Sequence, residues 1–406
     1  MPSIAKPSSP ALSYQALSFL LVLLVIAAGP VAARGAEPAG GAFVWFGTYS
    51  GGPKKSAGVY VSRFDEATGK ITPPQLAVEA NNPSFLAVHP RLPVLYAVSE
   101  VADADADGKR VGAVLSFAID ESTGTLTPKN RQSSGGGGPC HLTVDRTGRV
   151  ALAANYGGGS VICLGLAADG SLEPVVPGTP GGFIQHEGKG PNPQRQEAPH
   201  GHSINPTADG RFAVACDLGV DKVLIHALDV EKATLAAHGF GRGAPGAGPR
   251  HFAFHPNGRH GYAVNELDLT VTAFAFDTQA GTLTPIQAIS TLPADVTDTK
   301  GFSTAEIVAH PHGKFLYASN RGHDSIAMYA VDEASGRLTF LGAEPIRGKT
   351  PRNFAIDPSG KFLLAAGQNS HTVTVFAIDA ETGKLSFTGQ SLEVPSPVCI
   401  RFRRIR

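Results

Sequence analysis

Asp65-Glu66-Ala67-Thr68-Gly69-Lys70-Ile71-Thr72 opens a phrase whose repetition decides the fold: Asp, a few residues, Thr or Ser, Gly, any residue, Leu or Ile, Thr. It returns at Asp120, at Asp169 (shortened, to Leu172), at Asp229 (lacking the glycine, to Leu235), at Asp277, at Asp332 and at Asp379. β-Branched and aromatic residues flank the copies, as in Val59-Tyr60-Val61, Val271 to Phe276 and Val373 to Phe376. These are the marks of hairpin turns between strands.

A second phrase runs in register with the first. His89, Asp145, Asn205, His255, His310 and Asp357 each close an apolar strand before a turn and a further strand, at spacings of 56, 60, 50, 55 and 47 residues. Such a period, with about four short strands per unit, matches a β-propeller blade, which must stack on its neighbours to bury both faces. The first phrase counts seven and the second six, and the termini account for the difference. Phe43 to Tyr49 and Gly58 to Phe64 lack an opening strand, while Ser396 to Phe402 is an opening strand with nothing after it. Pairing them completes one blade and removes an exposed sheet edge. The predicted fold is therefore all-β, a seven-bladed β-propeller closed by its N- and C-terminal strands.

Composition agrees. The 48 glycines and 31 prolines make up about one residue in five, which disfavours helices and is explained by turns copied around a ring. With 42% hydrophobic and 17% charged residues, the chain can bury a core. The 34 basic residues balance 34 acidic ones, so no nucleic-acid partner is expected. The four cysteines, Cys140, Cys163, Cys216 and Cys399, form no C-x-x-C pair, and disulfides stay open.

Residues 16–28 are almost wholly apolar, too few to span a bilayer, which takes ~20. Lys6 precedes them and the small residues Val31-Ala32-Ala33 follow. This reads as a secretory signal peptide at 1–33, then a short linker at 34–42 and a single propeller domain at 43–406, exported and free of the membrane after cleavage. Removing residues 1–33 leaves about 53 residues for each of seven blades.

In a propeller the start of each first strand and the end of each second strand meet at one rim of the central channel. At the first-strand openings apolar packing gives way to Cys140-His141, His200-Gly201, Arg250-His251, Ala305-Glu306 and Arg352-Asn353, with His202 intruding one place later. The second strands end eleven residues beyond the closing position in five copies and twelve in the other, at Glu100, Tyr156, Asp217, Glu266, Arg321 and Gln368. Two registers thus place ionisable groups at one end of one channel, either a functional site or a ring of ion pairs tying blades together.

Seven stretches carry a family resemblance: Phe46-Gly47-Thr48-Tyr49, Pro199 to Ser203, Gly246 to His251, Val264-Asn265-Glu266-Leu267, Ser319-Asn320-Arg321, Pro351 to Phe354 and Ala366 to His371. Across nearly the whole chain after the leader, the sequence resembles the lactonase family of seven-bladed propellers. That family contains the bacterial propeller-type 6-phosphogluconolactonases and the fungal carboxy-cis,cis-muconate cyclases. The resemblance implies an active site in the channel mouth that uses no metal or other cofactor, with His200, Arg250, Glu266 and Arg321 as catalytic residues. His202, His251, Glu306, Arg352 and Gln368 would bind substrate. The expected partner is a small-molecule lactone, and the closed ring is expected to be a monomer.

Lactone opening needs an activated water, a stabilised oxyanion and a proton for the leaving alkoxide. On this reading Glu266 is the base, His200 moves the proton, and Arg250 and Arg321 hold the oxyanion or a charged substituent. The expected activity is that of a sugar lactonase, 6-phosphogluconolactonase-like or acting on a non-phosphorylated relative, since a leader peptide departs from cytosolic sugar-phosphate chemistry. Two alternatives stay open: a cycloisomerase acting on an unsaturated dicarboxylate, and a secreted propeller that only binds.

Three motifs are set aside. Asp103, Asp105, Asp107 and Gly108 mimic the start of a calcium loop but have Val114 at the twelfth place. Gly135 to Gly138 lack the Lys-Ser/Thr of a phosphate loop. The His-Pro pairs at His89, His255 and His310 recur in register and read as turn residues.

Overall fold

Wherever the Asp phrase occurs, the aspartate folds the backbone onto its own side chain. Asp65 Oδ1 accepts from the amides of Ala67 and Thr68, Asp277 Oδ1 from Gln279 and Ala280, and Asp379 Oδ1 from Glu381 and Thr382. The glycine that follows takes a positive φ, 63° at Gly281. In the copy without glycine, Ala233 takes that conformation at 51°. Each turn therefore forms locally, from a residue that caps and a residue that tolerates the left-handed region.

The computed structural model describes residues 1–3, 5, 41–51, 55–104, 108–175 and 181–405. All but four residues of the expected signal peptide, 34–40 of the linker and 105–107 of the calcium-loop mimic lie outside the described residues. Among the described residues every regular element is a β-strand, and the strands form seven four-stranded sheets. No helix of the described residues is long and apolar enough to cross a membrane.

Six blades run in chain order, with inner strands at Leu86–Val88, Pro139–Val144, Gly201–Pro206, Pro249–Phe254, Ser303–Ala309 and Pro351–Ile356. The seventh joins the chain ends as expected. Its inner strand Pro397–Arg404 pairs antiparallel with Gly41–Thr48, setting Ile400 opposite Phe46, and Gly58–Asp65 and Gln75–Glu79 follow outward. The first strand opens at Gly41, two residues before the expected start of the domain.

Blades adhere through apolar faces. Phe46, Phe64 and Ile400 of the closing blade pack with Leu364 and Val375 of the sixth, and comparable clusters fill the other seams. Turns add polar stitches between neighbours. Trp45 Nε1 donates to Gly124 O, and the Tyr96 and Tyr317 hydroxyls donate to Gly170 O and Gly383 O. The His-Pro histidines work likewise at the opposite rim. Nε2 of His89, His255 and His310 bonds the carbonyls of Gly148, Gly313 and Gly360 on the next blade, while Nδ1 accepts an amide of its own turn.

Candidate active site

The inner strands do not enter the channel smoothly. Across the inner pair of blade 4, Pro249 faces Asn265 and His251 faces Val264, so Arg250 is an extra, unpaired residue. The same irregularity isolates Cys140 between Pro139 and His141, His202 between Gly201 and Ser203, and Arg352 between Pro351 and Asn353. These are β-bulges, which free a residue from the alternation of the strand and re-aim its side chain. Four blades thus deliver Cys140, His202, Arg250 and Arg352 from one structural position.

That position corrects the sequence register in blade 3. The turn there closes on Thr207, whose amide bonds Phe212 O as His255 N bonds His260 O, and not on Asn205. Shifting the anchor by two residues puts His202, not His200, in line with Arg250. It also puts Leu218, not Asp217, in line with Glu266. Asp217 instead faces Gly201, as Asn265 faces Pro249, and its carboxylate binds His186 Nδ1 at 2.6 Å. The single twelve-residue spacing was the signal of this offset.

A cavity of about 350 Å³ opens here, walled by Cys140, His202 and Arg352 of the bulges and by Glu100, Tyr156, Glu266 and Arg321, while Arg250 is buried against Glu266 and does not line it. Glu266 is its centre. Arg250 Nε lies 2.9 Å and Arg321 Nη2 3.0 Å from its Oε2, while Arg195 Nη2 lies 2.6 Å from Oε1. His202 Nε2 stands 4.0 Å from Oε2. Burial alone would raise the Glu266 pKa, but Arg321, Arg250 and Arg195 outweigh it and hold the carboxyl at about 2. Burial, together with Arg352 and Arg321, brings Arg250 down to about 10, so it stays a cation at neutral pH.

Around this centre the remaining groups are assigned by their partners. Burial, with Arg250 and His251, keeps His202 well below its usual range and therefore neutral. Its Nδ1 lies 3.5 Å from Cys140 Sγ. Burial pushes the Cys140 thiol up to about 12, which leaves a protonated sulfur and no thiolate nucleophile. All four cysteines are buried and free. Arg352 packs over the Tyr49 ring at 5.4 Å, and the Tyr49 hydroxyl donates to Glu100.

Not every expected residue joins the cavity. His200 stacks flat on the outer side of Tyr156, with ring centroids 4.6 Å apart, and its Nε2 reaches Glu197, 3.2 Å away. It stands one layer outside. His251 and Glu306 lie beyond Arg250 in the other half of the channel, in a second cavity of about 430 Å³ walled by Phe85, Phe252, Phe354 and Arg401. There Glu306 Oε1 accepts from His251 Nδ1 at 2.7 Å, and His251 Nε2 faces Arg250 Nη1 at 3.3 Å. Burial holds His251 at about 4, so the neutral ring links a carboxylate to the arginine and orients it. Gln368 follows the second strand of blade 6, half-buried, and is absent from the cavity wall.

Arg195 is the residue that sequence reasoning missed. It lies between the strands Phe183–Gln185 and Gly201–Pro206, outside both repeat phrases, and no register could have pointed to it. Among the described residues, no group of three or more His, Cys, Asp and Glu side chains is arranged to hold a metal ion.

The family model described as "Lactonase, 7-bladed beta-propeller" matches residues 43–402. The chain is 37% identical over 359 residues to a Bacillus subtilis 6-phosphogluconolactonase, covering 88% of this chain and 97% of that protein. A Formosa agariphila 6-phosphogluconolactonase is 35% identical, with 75% of this chain and 83% of that protein covered. Among solved structures, the periplasmic gluconolactonase of Pseudomonas aeruginosa superposes with a TM-score of 0.81 at 34% identity, covering 90% of this chain and all of that one.

Proposed function

The chain belongs to the seven-bladed β-propeller lactonase family, and on that premise we propose that the Glu266 cavity hydrolyses a sugar lactone of the gluconolactone type. The observation that carries the reading is a buried carboxylate, a neutral imidazole and several arginines converging on one open cavity. Water adds to the lactone carbonyl carbon while its proton passes to Glu266, and Arg321 stabilises the oxyanion, with the buried Arg250 adding its charge from beside Glu266. The ring C–O bond then breaks, and the departing oxygen takes a proton by way of His202, yielding the hydroxy acid. His202 replaces His200 in this role because it faces the carboxylate. Arg352, next to Glu100, serves to orient the substrate.

Arg195, Arg321 and Arg352 in the wall, with Arg250 buried against Glu266, outnumber the carboxylates of Glu266 and Glu100 and make the cavity cationic, which favours a lactone bearing an anionic substituent. The protein should hydrolyse D-glucono-1,5-lactone or its 6-phosphate above the spontaneous rate, measured by acid release in a pH-stat. Glu266→Gln should lower kcat by about 10²-fold or more, and Arg250→Ala should act in the same direction. Turnover of a carboxymuconate in place of both lactones would overturn the reading.

Export belongs to the same proposal, supported by the apolar run at 16–28 with small residues after it. The periplasmic relative is consistent with it. Recovery of the mature chain only from the cytoplasm would contradict it. A monomer is proposed too, since the closing blade pairs both chain ends and leaves no inner edge open; a dimeric mass in solution would contradict this.

A further inference from the structure

Arg195 differs from the other arginines of the cavity in how it is held. Arg250 and Arg352 project from inner-strand bulges and Arg321 ends a second strand, whereas Arg195 comes from the segment joining blades 2 and 3. Its side chain is 40% exposed, against 2% for Arg250 and 16% for Arg321. The backbone beneath it is fixed. Gln196 is fully buried, donates from Nε2 to Leu218 O and Asp221 Oδ1, and accepts the Asn192 amide. Its exposure leaves the guanidinium room to swing, giving up Glu266 and the Tyr156 hydroxyl 3.4 Å away, while its Cα stays in place.

Its grip on Glu266 is also distinct. Arg250 and Arg321 both pair with Oε2, and Arg195 pairs with Oε1. Oε1 is the oxygen left to take a proton from water, and Arg195 covers it. A carboxylate whose free oxygen is tied to an arginine is a poor base until that arginine leaves.

We propose that Arg195 is an anion-sensing residue: an anionic group on the substrate draws its guanidinium away from Glu266 Oε1 and so releases that oxygen as the base. This rests on the lactonase reading and adds a specificity device to it. The substrate's charge then raises kcat, because part of its binding energy is spent on freeing the base. An arginine suits the exchange, since the fork that binds a carboxylate also binds a phosphate. After it departs, Glu266 still faces Arg250, Arg321 and His202, with Arg352 nearby, so the carboxyl stays ionised but becomes more basic.

The test separates the anion from the lactone. Wild-type protein is assayed on neutral D-glucono-1,5-lactone with and without phosphite, alongside Arg195→Ala and Arg195→Lys, thermal unfolding confirming that each variant is folded. Phosphite should raise wild-type kcat/KM on the neutral lactone by roughly tenfold, and Arg195→Ala should show no such activation. Arg195→Lys should keep part of it. In Arg195→Ala the acid limb of the pH profile should move to higher pH, which a merely structural role for Arg195 would not produce. No phosphite activation of the wild type, or equal activation in Arg195→Ala, overturns the inference while leaving the lactonase reading intact. Failure of the wild type to hydrolyse either the neutral or the 6-phosphorylated lactone overturns both.

Discussion

At the scale of the residue, two histidines two positions apart have different fates because one lies in a bulge. His202 is re-aimed into the cavity, 4.0 Å from Glu266, while His200 stacks on the far side of Tyr156. His202→Ala is expected to cost about 10²-fold in kcat and His200→Ala less than about tenfold. Steady-state kinetics on a gluconolactone, with unfolding curves as a control, measures both. Equal losses would return His200 to the chemistry. The convergence of Arg250, Glu266 and Arg321 was legible because their copies obey the repeat spacing. His202 was visible only as an intrusion, since a bulge changes which residue faces inward without changing the composition of the strand.

At the scale of the element, the Asp-Gly turns are the most legible part of the chain because their hydrogen bonds close within a few residues. What they do between blades could not be read there. Gly281 sits at φ 63°, and a Cβ added to it would lie 2.4 Å from the ring of Phe212 on the preceding blade. Gly281→Ala should therefore destabilise the fold by about 2 kcal/mol, part from the left-handed backbone and part from displacing a packed ring. Urea unfolding checks this, and a change below about 0.5 kcal/mol would mean that the turn yields. The His-Pro residues follow the same pattern: recognised as turns from their register, they are also the blade-to-blade bonds of the opposite rim.

At the scale of the whole molecule, closing the ring buries many neutral histidines together. Burial is the main cause in each case, taking His226 to about 3, His251 to about 4, and His141 and His202 well below their usual range. The unfolded chain binds protons at these residues near pH 6.5 and the folded chain does not, so unfolding takes up protons as pH falls. Stability should be full above about pH 7 and decline as pH drops from there toward 4, by about 1.4 kcal/mol per pH unit for each proton taken up. Denaturant midpoints measured at pH 7.5 and 5 test the sign; a higher midpoint at pH 5 would contradict it.

The number of blades, the turns that punctuate them and the pairing of the first strand with the last were all legible in the order of residues, because each repeats at a fixed period or completes a missing part of one. That order also put a cluster of ionisable groups at one rim. Which groups touch emerges from the packing of the blades: the bulges that select His202, the relay that puts Glu306 and His251 behind Arg250, and Arg195 reaching in from a connecting segment. Those contacts join residues tens of positions apart across different blades, and such separations are set by how sheets pack around an axis, which no local pattern encodes.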